Sequence, residues 1–162
     1  MPQTLTTPRG ETLSGTPWQV YPRPQMRRDS YINLNGEWDF AASSGKPETF
    51  DMRITVPFCP ESRLSGIGRH FEEGTPLWYR RRFLLPEGFR RERVLLHIGA
   101  ADQIAEVFVN GQHLCHHEGG YASFCVDITE ALAEENELVI RCTDDLHDQA
   151  FPYGCLLYTS PS

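Results

Sequence analysis

The hydrophobic and aromatic residues that follow Leu34 form short runs, which glycine, proline and asparagine interrupt. Short runs bounded by such turn-forming residues are typical of β-strands. The predicted strands are Gly36–Phe40, Phe50–Val56, Leu77–Leu85, Arg93–Ile98, Ile104–Val109, Gln112–His116, Phe124–Ile128 and Glu137–Thr143. Eight short strands separated by turns predict an all-β domain, either a sandwich or a barrel.

The strongest local signal is a hairpin in the segment IAEVFVNGQHLCHH. Asn110 and Gly111 both tolerate a positive φ, which the two-residue turn between twisted strands requires. The first arm carries two alternating sets, Ala105, Val107 and Val109 on one face and Ile104, Glu106 and Phe108 on the other. Because both sets contain apolar groups, we expect this strand to lie inside a sandwich, with Val107 and Val109 between the sheets.

One segment, DITEALAEENEL, predicts a turn or two of helix. Thr129 is the expected N-cap, and Glu130 would lie near the positive end of the helix dipole. Asn136 is expected to end the turn before the last strand. Residues 1–30 are rich in threonine, proline, glycine and arginine and show no period, so they predict an irregular arm.

Composition and charge are those of an ordinary globular domain. The chain has 162 residues, 40% of them hydrophobic, and a formal net charge of −7. An acidic balance offers no electrostatic footprint for nucleic acid or for an anionic membrane. No apolar run approaches the roughly 18–20 residues of a membrane-spanning helix, and no secretory signal is expected from the N-terminal composition.

The cysteine pattern bears on metal, redox chemistry and location. The five cysteines are odd in number and include no Cys-x-x-Cys pair, so we expect reduced thiols and a cytoplasmic protein without a cofactor. His113, Cys115 and His117 alternate and would share one face of a strand. That pattern indicates a polar strand face more strongly than a metal site, which needs a fourth ligand from elsewhere.

Two groups of charged residues are candidates for binding. The arginine clusters 80–82 and 90–93 are expected to solvate a sheet surface. Asp144, Asp145 and Asp148 follow the last strand, where carboxylates can accept hydrogen bonds from sugar hydroxyls. The aromatic residues available to stack on a sugar are Trp78, Tyr79, Phe151 and Tyr153. The alternative is a solvated loop, and no catalytic carboxylate pair or nucleophile motif is recognisable.

Several segments in order resemble the N-terminal sugar-binding domain of glycoside hydrolase family 2, the family of β-galactosidases and β-glucuronidases. They are YPRPQMRRDSYINLNGEWDF, VPFCPES, LWYRRRF, IGAADQIAEVFVNGQHLCHHEGGYASFCVDIT and ENELVIRCTDD. The resemblance runs from Tyr21 to Gly154. It implies a jelly-roll β-sandwich of the galactose-binding-domain type. In the family, this domain precedes an immunoglobulin-like domain and a TIM barrel that carries the acid/base and nucleophile glutamates.

The resemblance also implies a role for the loop after the last strand, which in the family reaches toward the barrel and contacts the sugar. By that similarity Asp145 and Asp148 are the candidate substrate-binding residues, Asp145 slightly preferred. The chain itself would be a fragment that contributes to recognition of a glycoside. A stand-alone carbohydrate-binding module on the same fold is the alternative.

The division of the chain follows from the same resemblance. An N-terminal arm is expected over residues 1–30 and the sugar-binding domain over 31–154. The tail, residues 155–162, departs from the family pattern and is not expected to be native domain structure. The jelly roll is therefore expected to be truncated at its C-terminal end.

Overall fold

The structure is a computed structural model. Its strands pair antiparallel, as expected for the all-β domain that the sequence predicts. The structure describes residues 8–12, 30–144 and 157–158. Its strands are β1 (Gly36–Ala42), β2 (Met52–Val56), β3 (Leu77–Leu84), β4 (Leu95–Ile98), β5 (Ala100–Ala101), β6 (Ile104–Val109), β7 (Gln112–Glu118), β8 (Phe124–Asp127), β9 (Glu135–Thr143) and β10 (Leu157–Tyr158). A four-residue helix spans Pro8–Glu11, and 3₁₀ turns span Arg63–Ser65 and Thr129–Ala131.

Six strands form the main sheet, in the order β2-β1-β3-β9-β6-β7. Its longest pairing joins β3 to β9, from Leu77 opposite Cys142 to Leu84 opposite Glu135. Two short sheets complete the fold, β4 with β8 and β5 with β10. Since β9 lies between β3 and β6, its last residues emerge from the middle of the main sheet and not from an edge.

The hydrophobic core lies between the main sheet and the β4–β8 pair, because apolar residues of both belong to one buried cluster. Trp38 is 2% exposed, and its indole N–H donates a 2.7 Å hydrogen bond to the carbonyl of Leu34. Val107 and Val109 are fully buried. The expected burial of these three residues and the all-β class are confirmed.

The predicted hairpin is also confirmed. Asn110 and Gly111 both have positive φ, 50° and 81°, and join β6 to β7. The Asn110 side chain donates to the carbonyl of Ala131 and accepts from the amide of Glu137. The turn is therefore tied to the loop that leads into β9.

A β-bulge between Val107 and Phe108 changes which residues of β7 share a face. His113 pairs with Phe108, and His116, not His117, lies opposite Glu106. The expectation that alternate residues 113, 115 and 117 would share one face is therefore wrong, because the bulge interrupts the two-residue period.

The predicted helical segment is a single 3₁₀ turn, and its N-cap is Ile128 instead of Thr129. The Thr129 hydroxyl is engaged elsewhere: it accepts a hydrogen bond from the amide of Val94 and donates to the Asp127 carboxylate. The Thr129 side chain thus links the end of β8 to Val94, the residue before β4, and does not cap a helix.

Two short strands, β5 and β10, were not predicted from the sequence. Each has two residues, and β10 pairs antiparallel with β5, Leu157 opposite Ala101. Two residues are too few to show a period, and alanine is a weak strand former. Their pairing depends on tertiary contact between distant segments.

The described residues contain four free cysteines, Cys59, Cys115, Cys125 and Cys142, while Cys155 lies outside them. Within the same residues, the structure contains no helix of the length and apolar character needed to cross a membrane.

Candidate functional site

The predicted substrate loop begins where the chain leaves β9, a place we call the β9 exit (Thr143 and Asp144). Of the three carboxylates that follow this strand, the structure places Asp144. Asp145 and Asp148, the predicted substrate-binding residues, lie outside the described residues. The geometry described below is therefore that of the β9 exit, the residues from which the predicted substrate loop starts.

Backbone hydrogen bonds fix the β9 exit on two sides. The amide of Gln103 donates to the carbonyl of Thr143 at 3.3 Å, and the carbonyl of Gln103 accepts from the amide of Gly119 at 2.8 Å. On the other side, the amide of Gly74 donates to the carbonyl of Asp144 at 3.2 Å. Three loops thus converge here: the one between β2 and β3, the β5–β6 connection, and the β7–β8 loop.

Asp102, in the β5–β6 connection, is the buried charged group at this place. It is 3% exposed, and a Cβ built on Gly120 would lie 2.9 Å from its own Cβ and would collide with its carboxyl group. Burial, and secondarily the negative charge of Asp144, raises the pKa of Asp102 to about 6. Asp102 is not among the residues predicted from the sequence, although an aspartate inside the apolar run IGAADQIAEV is a signal of a buried carboxyl group.

The aromatic residues expected to stack on a sugar are not available in the described part of the chain. Tyr79 is fully buried and packs edge-on against Phe40 at 5.0 Å between ring centroids. Trp78 is 6% exposed; its ring is stacked with Phe108, and its N–H donates to the carbonyl of Ser43. Both predictions are wrong, because alternation along β3 places these rings in the core and against the outer sheet face.

Phe151 and Tyr153 lie outside the described residues. Among the described aromatic residues, Tyr121 in the β7–β8 loop is exposed, with 65% of its surface accessible. Tyr121 follows Gly119 and Gly120 in the β7–β8 loop.

A second polar cluster lies on the outer face of the β6–β7 hairpin. Glu106 receives hydrogen bonds from His113 and from His116, whose Nδ1 is 2.6 Å from Oε1, and His116 also contacts Glu118 at 3.0 Å. Hydrogen bonds to Glu106 and Glu118 raise the pKa of His116. Burial alone would raise the pKa of Glu106, but the two histidines together lower it.

This cluster is a hydrogen-bonded network on the sheet surface. In the part of the chain that the structure describes, no three histidine, cysteine or acidic side chains are arranged to hold a metal ion. The side chains that meet on this polar strand face are those of His113 and His116, and not those of His113, Cys115 and His117 together.

The arginine cluster 80–82 lies on the main sheet, as expected. Arg80 forms a 2.8 Å ion pair with Asp39 and covers the ring of Phe50, and Arg82 contacts Glu137 at 3.5 Å. These cations are paired within the sheet surface.

Comparisons with known proteins identify the family of this chain. The protein family described as "Glycosyl hydrolase 2 galactose-binding domain-like" matches residues 67–150. The chain is 31% identical to the β-glucuronidase of Chlorocebus aethiops over 86% of its own length and 25% of that protein. It is 32% identical to the β-galactosidase of Thermoanaerobacter pseudethanolicus over 82% of its own length and 19% of that protein.

A solved structure of a β-glucuronidase from Faecalibacterium prausnitzii matches 69% of the chain and 20% of its own length, with a TM-score of 0.57 and 30% identity. The chain thus spans about a quarter or less of the relatives that it matches. The family match runs from before β3 through the β9 exit. This chain, a jelly-roll β-sandwich, belongs to the galactose-binding-like domain family of glycoside hydrolase family 2 and matches the N-terminal domain of its β-glucuronidases and β-galactosidases.

Proposed function

We propose that this chain is the sugar-binding domain of a longer family 2 glycosidase that hydrolyses β-glucuronides. The observation that carries the proposal is the family match over residues 67–150, which includes the β9 exit and both candidate aspartates. The named relatives support a parent of about four times this length. An immunoglobulin-like domain and a TIM barrel with two catalytic carboxyl groups would make up the remainder.

In this proposal, the domain shapes the substrate site and does not perform the chemistry. Asp145 and Asp148 accept hydrogen bonds from hydroxyl groups of the sugar, and Asp145 makes the stronger contact. A hydrogen bond to an ionised carboxylate is worth about 1.5–3 kcal/mol. The anchored β9 exit supports this role, because a loop that starts from a fixed point loses less conformational freedom when it binds.

β-Galactosides are the second candidate substrates, since one relative is named a β-galactosidase. A stand-alone carbohydrate-binding module remains the alternative for the chain as a whole, because the same fold serves both purposes. A cytoplasmic location is part of the proposal, and the free thiols of the described residues support it.

The test uses the coding sequence that continues beyond this chain. We expect the full-length protein to hydrolyse an aryl β-D-glucuronide faster than the matching galactoside. This chain alone should hydrolyse neither above a matched blank. The proposal would be contradicted if the full-length protein contained no TIM barrel with two catalytic glutamates. Hydrolysis by the purified chain alone would contradict it as well.

Within the full-length protein, Asp145→Asn should lower kcat/KM by about 10- to 150-fold, the equivalent of one lost charge-assisted hydrogen bond. The matched control is Asp51→Asn, which removes an exposed carboxylate that is distant in sequence from Asp145. Unchanged kinetics in both Asp145→Asn and Asp148→Asn would show that these residues do not bind the substrate and would favour the alternative of a solvated loop.

A further inference from the structure

The second strand of the β6–β7 hairpin forms one edge of the main sheet. In the part of the chain that the structure describes, β7 pairs with β6 alone. A strand with a hydrogen-bonded neighbour on one side only opens more easily than a central strand such as β9. The side chains that cross from β7 to β6 therefore matter for keeping this edge closed.

His116 of β7 lies between two carboxylates. It is opposite Glu106 of β6 in the strand register, and its Nδ1 is 2.6 Å from Oε1 of Glu106. Its Nε2 is 3.0 Å from Oε1 of Glu118, two residues further along β7. Both ring nitrogens of this one exposed side chain thus contact an acceptor.

This geometry determines the protonation state of His116. A neutral imidazole has one N–H and one nitrogen that can only accept, and an ionised carboxylate can only accept. The imidazolium form alone can therefore donate to Glu106 and to Glu118 together. Loss of the proton leaves a ring nitrogen lone pair facing a carboxylate oxygen, so one of the two contacts must open. In agreement, hydrogen bonds to Glu106 and to Glu118 raise the pKa of His116 above its ordinary value of 6.5.

The other titratable and charged groups described around His116 act through the same glutamate. Burial disfavours the charge of Glu106, but hydrogen bonds from His116 and His113 outweigh burial and lower the pKa of this carboxylate. The Cys115 thiol has a raised pKa, through burial and then through the charge of Glu106. Arg141 of β9 lies opposite Glu106 in the register, but its guanidinium lies over an aromatic ring of β3. Among these described groups, His116 is the one that contacts both glutamates.

We propose that the His116 imidazolium is a proton-dependent link, which holds the edge strand β7 on β6 through Glu106 and releases that hold when it loses its proton. The link is fully formed below about pH 6.5 and is lost as the pH rises through the higher pKa of the folded state. It makes one edge of the sheet sensitive to pH in the range where histidine titrates. This inference does not depend on the proposed function, because none of the candidate sugar contacts takes part in it.

The first experiment follows the histidine rings of this chain by ¹⁵N NMR during a pH titration. Below about pH 6.5, both ring nitrogens of His116 should be protonated. Glu106→Gln and Glu118→Gln should each lower the midpoint of the His116 titration by about 0.2–0.7 pH unit, the equivalent of one exposed charge pair. Glu135→Gln, which removes an exposed carboxylate at the start of β9, is the matched control and should leave the midpoint unchanged. A midpoint that either Glu106→Gln or Glu118→Gln leaves unchanged would overturn the proposal, because His116 would then not be held between the two carboxylates.

The second experiment tests whether this proton controls the strand. Amide hydrogen-exchange rates in β7 are divided by the intrinsic rates at each pH and compared with those of the central β3–β9 pairing. Relative to that pairing, the protection of β7 amides bonded to β6 should fall about two- to fivefold between about pH 6 and pH 8. His116→Gln, whose charge does not change with pH, should remove this fall. The control His97→Gln replaces an exposed histidine of β4 and should retain it.

The proposal would be overturned if the protection of β7 did not change with pH relative to the β3–β9 pairing, since the strand would then be indifferent to the proton. It would also be overturned if the fall persisted in His116→Gln, because another group would then be responsible.

Discussion

At the scale of single residues, burial of a polar group has opposite effects on stability at Trp38 and at Asp102. Trp38 joins a large apolar ring to one satisfied hydrogen bond, which is how buried tryptophan stabilises a core. Asp102 brings a carboxyl group into a buried place where its charged form is disfavoured. The first residue adds to stability, and the second is retained at a cost to it.

The pH dependence of stability should reveal that cost. The pKa of Asp102 is about 6 in the folded chain and near 3.8 when unfolded, so the folded state binds the proton more tightly. Its contribution is therefore fully present below about pH 4 and is lost as the pH rises to about 6. Urea unfolding should show that Asp102→Asn gains stability relative to the parent chain between pH 4 and pH 8, by at most about 3 kcal/mol. Parallel pH profiles of the two proteins would contradict this, and Asp51→Asn serves as the exposed control.

Truncation of the buried indole gives a second prediction at this scale. Trp38→Ala should lower the free energy of unfolding by about 3–5 kcal/mol, because it leaves a cavity and an unpaired carbonyl at Leu34. Denaturant unfolding measures the change. Leu84→Ala is the control, since Leu84 is mostly exposed and should cost less than about 0.5 kcal/mol. A loss below about 1 kcal/mol at Trp38 would place that residue outside the core.

At the scale of elements, the β6–β7 hairpin is held by a neighbouring loop as well as by its own ladder. Asn136 is buried, accepts from Asn110 and from the amide of Ala133, and donates to the carbonyl of Ala133. One amide side chain thus joins the turn between β6 and β7 to the loop that starts β9. Both elements reach the β9 exit at their far ends, so this joint fixes the register of the strands that support the site.

Asn136→Ala should therefore destabilise the domain by about 2–4 kcal/mol, because several buried polar groups lose their partner together. Thermal or urea unfolding measures the change, and Gln112→Ala at the exposed start of β7 is the control. A decrease of less than about 0.5 kcal/mol in the free energy of unfolding would contradict the prediction. It would show that water replaces the Asn136 amide and that its hydrogen bonds are not needed for stability.

At the scale of the whole molecule, the domain covers about a quarter of the relatives that it matches, and its last described strand is a two-residue pair. The net gain from so short a ladder is about 1 kcal/mol per hydrogen bond. Ordering each residue costs about as much. The β5–β10 pair therefore contributes little to the stability of the sandwich.

Deleting Cys155–Ser162 should shift the melting temperature by less than about 3 °C, because the gain and the cost nearly cancel. Deleting only Pro161–Ser162 is the control. A sharp drop on deletion would instead show that the tail is an integral part of the domain.

The described strands show how far prediction from the sequence reached. Runs of alternating or apolar residues identified every strand longer than two residues, because hydrophobic period and turn chemistry are local properties of the chain. The Asn-Gly turn was predictable for the same reason. Boundaries were off by a few residues, and β5 and β10 were missed, because their pairing is decided by chain segments far apart in sequence.

For the site, the sequence determined which residues follow β9, and its resemblance to a family predicts that Asp145 and Asp148 bind the sugar. It did not reveal that Asp102 packs against Gly120, or that Trp78 and Tyr79 are withdrawn from solvent. Those facts depend on which strands and loops become neighbours when the chain folds. Local pattern thus determined the elements and their class, while burial and the contacts between loops, which arise only when distant segments meet, decided which side chains support the β9 exit.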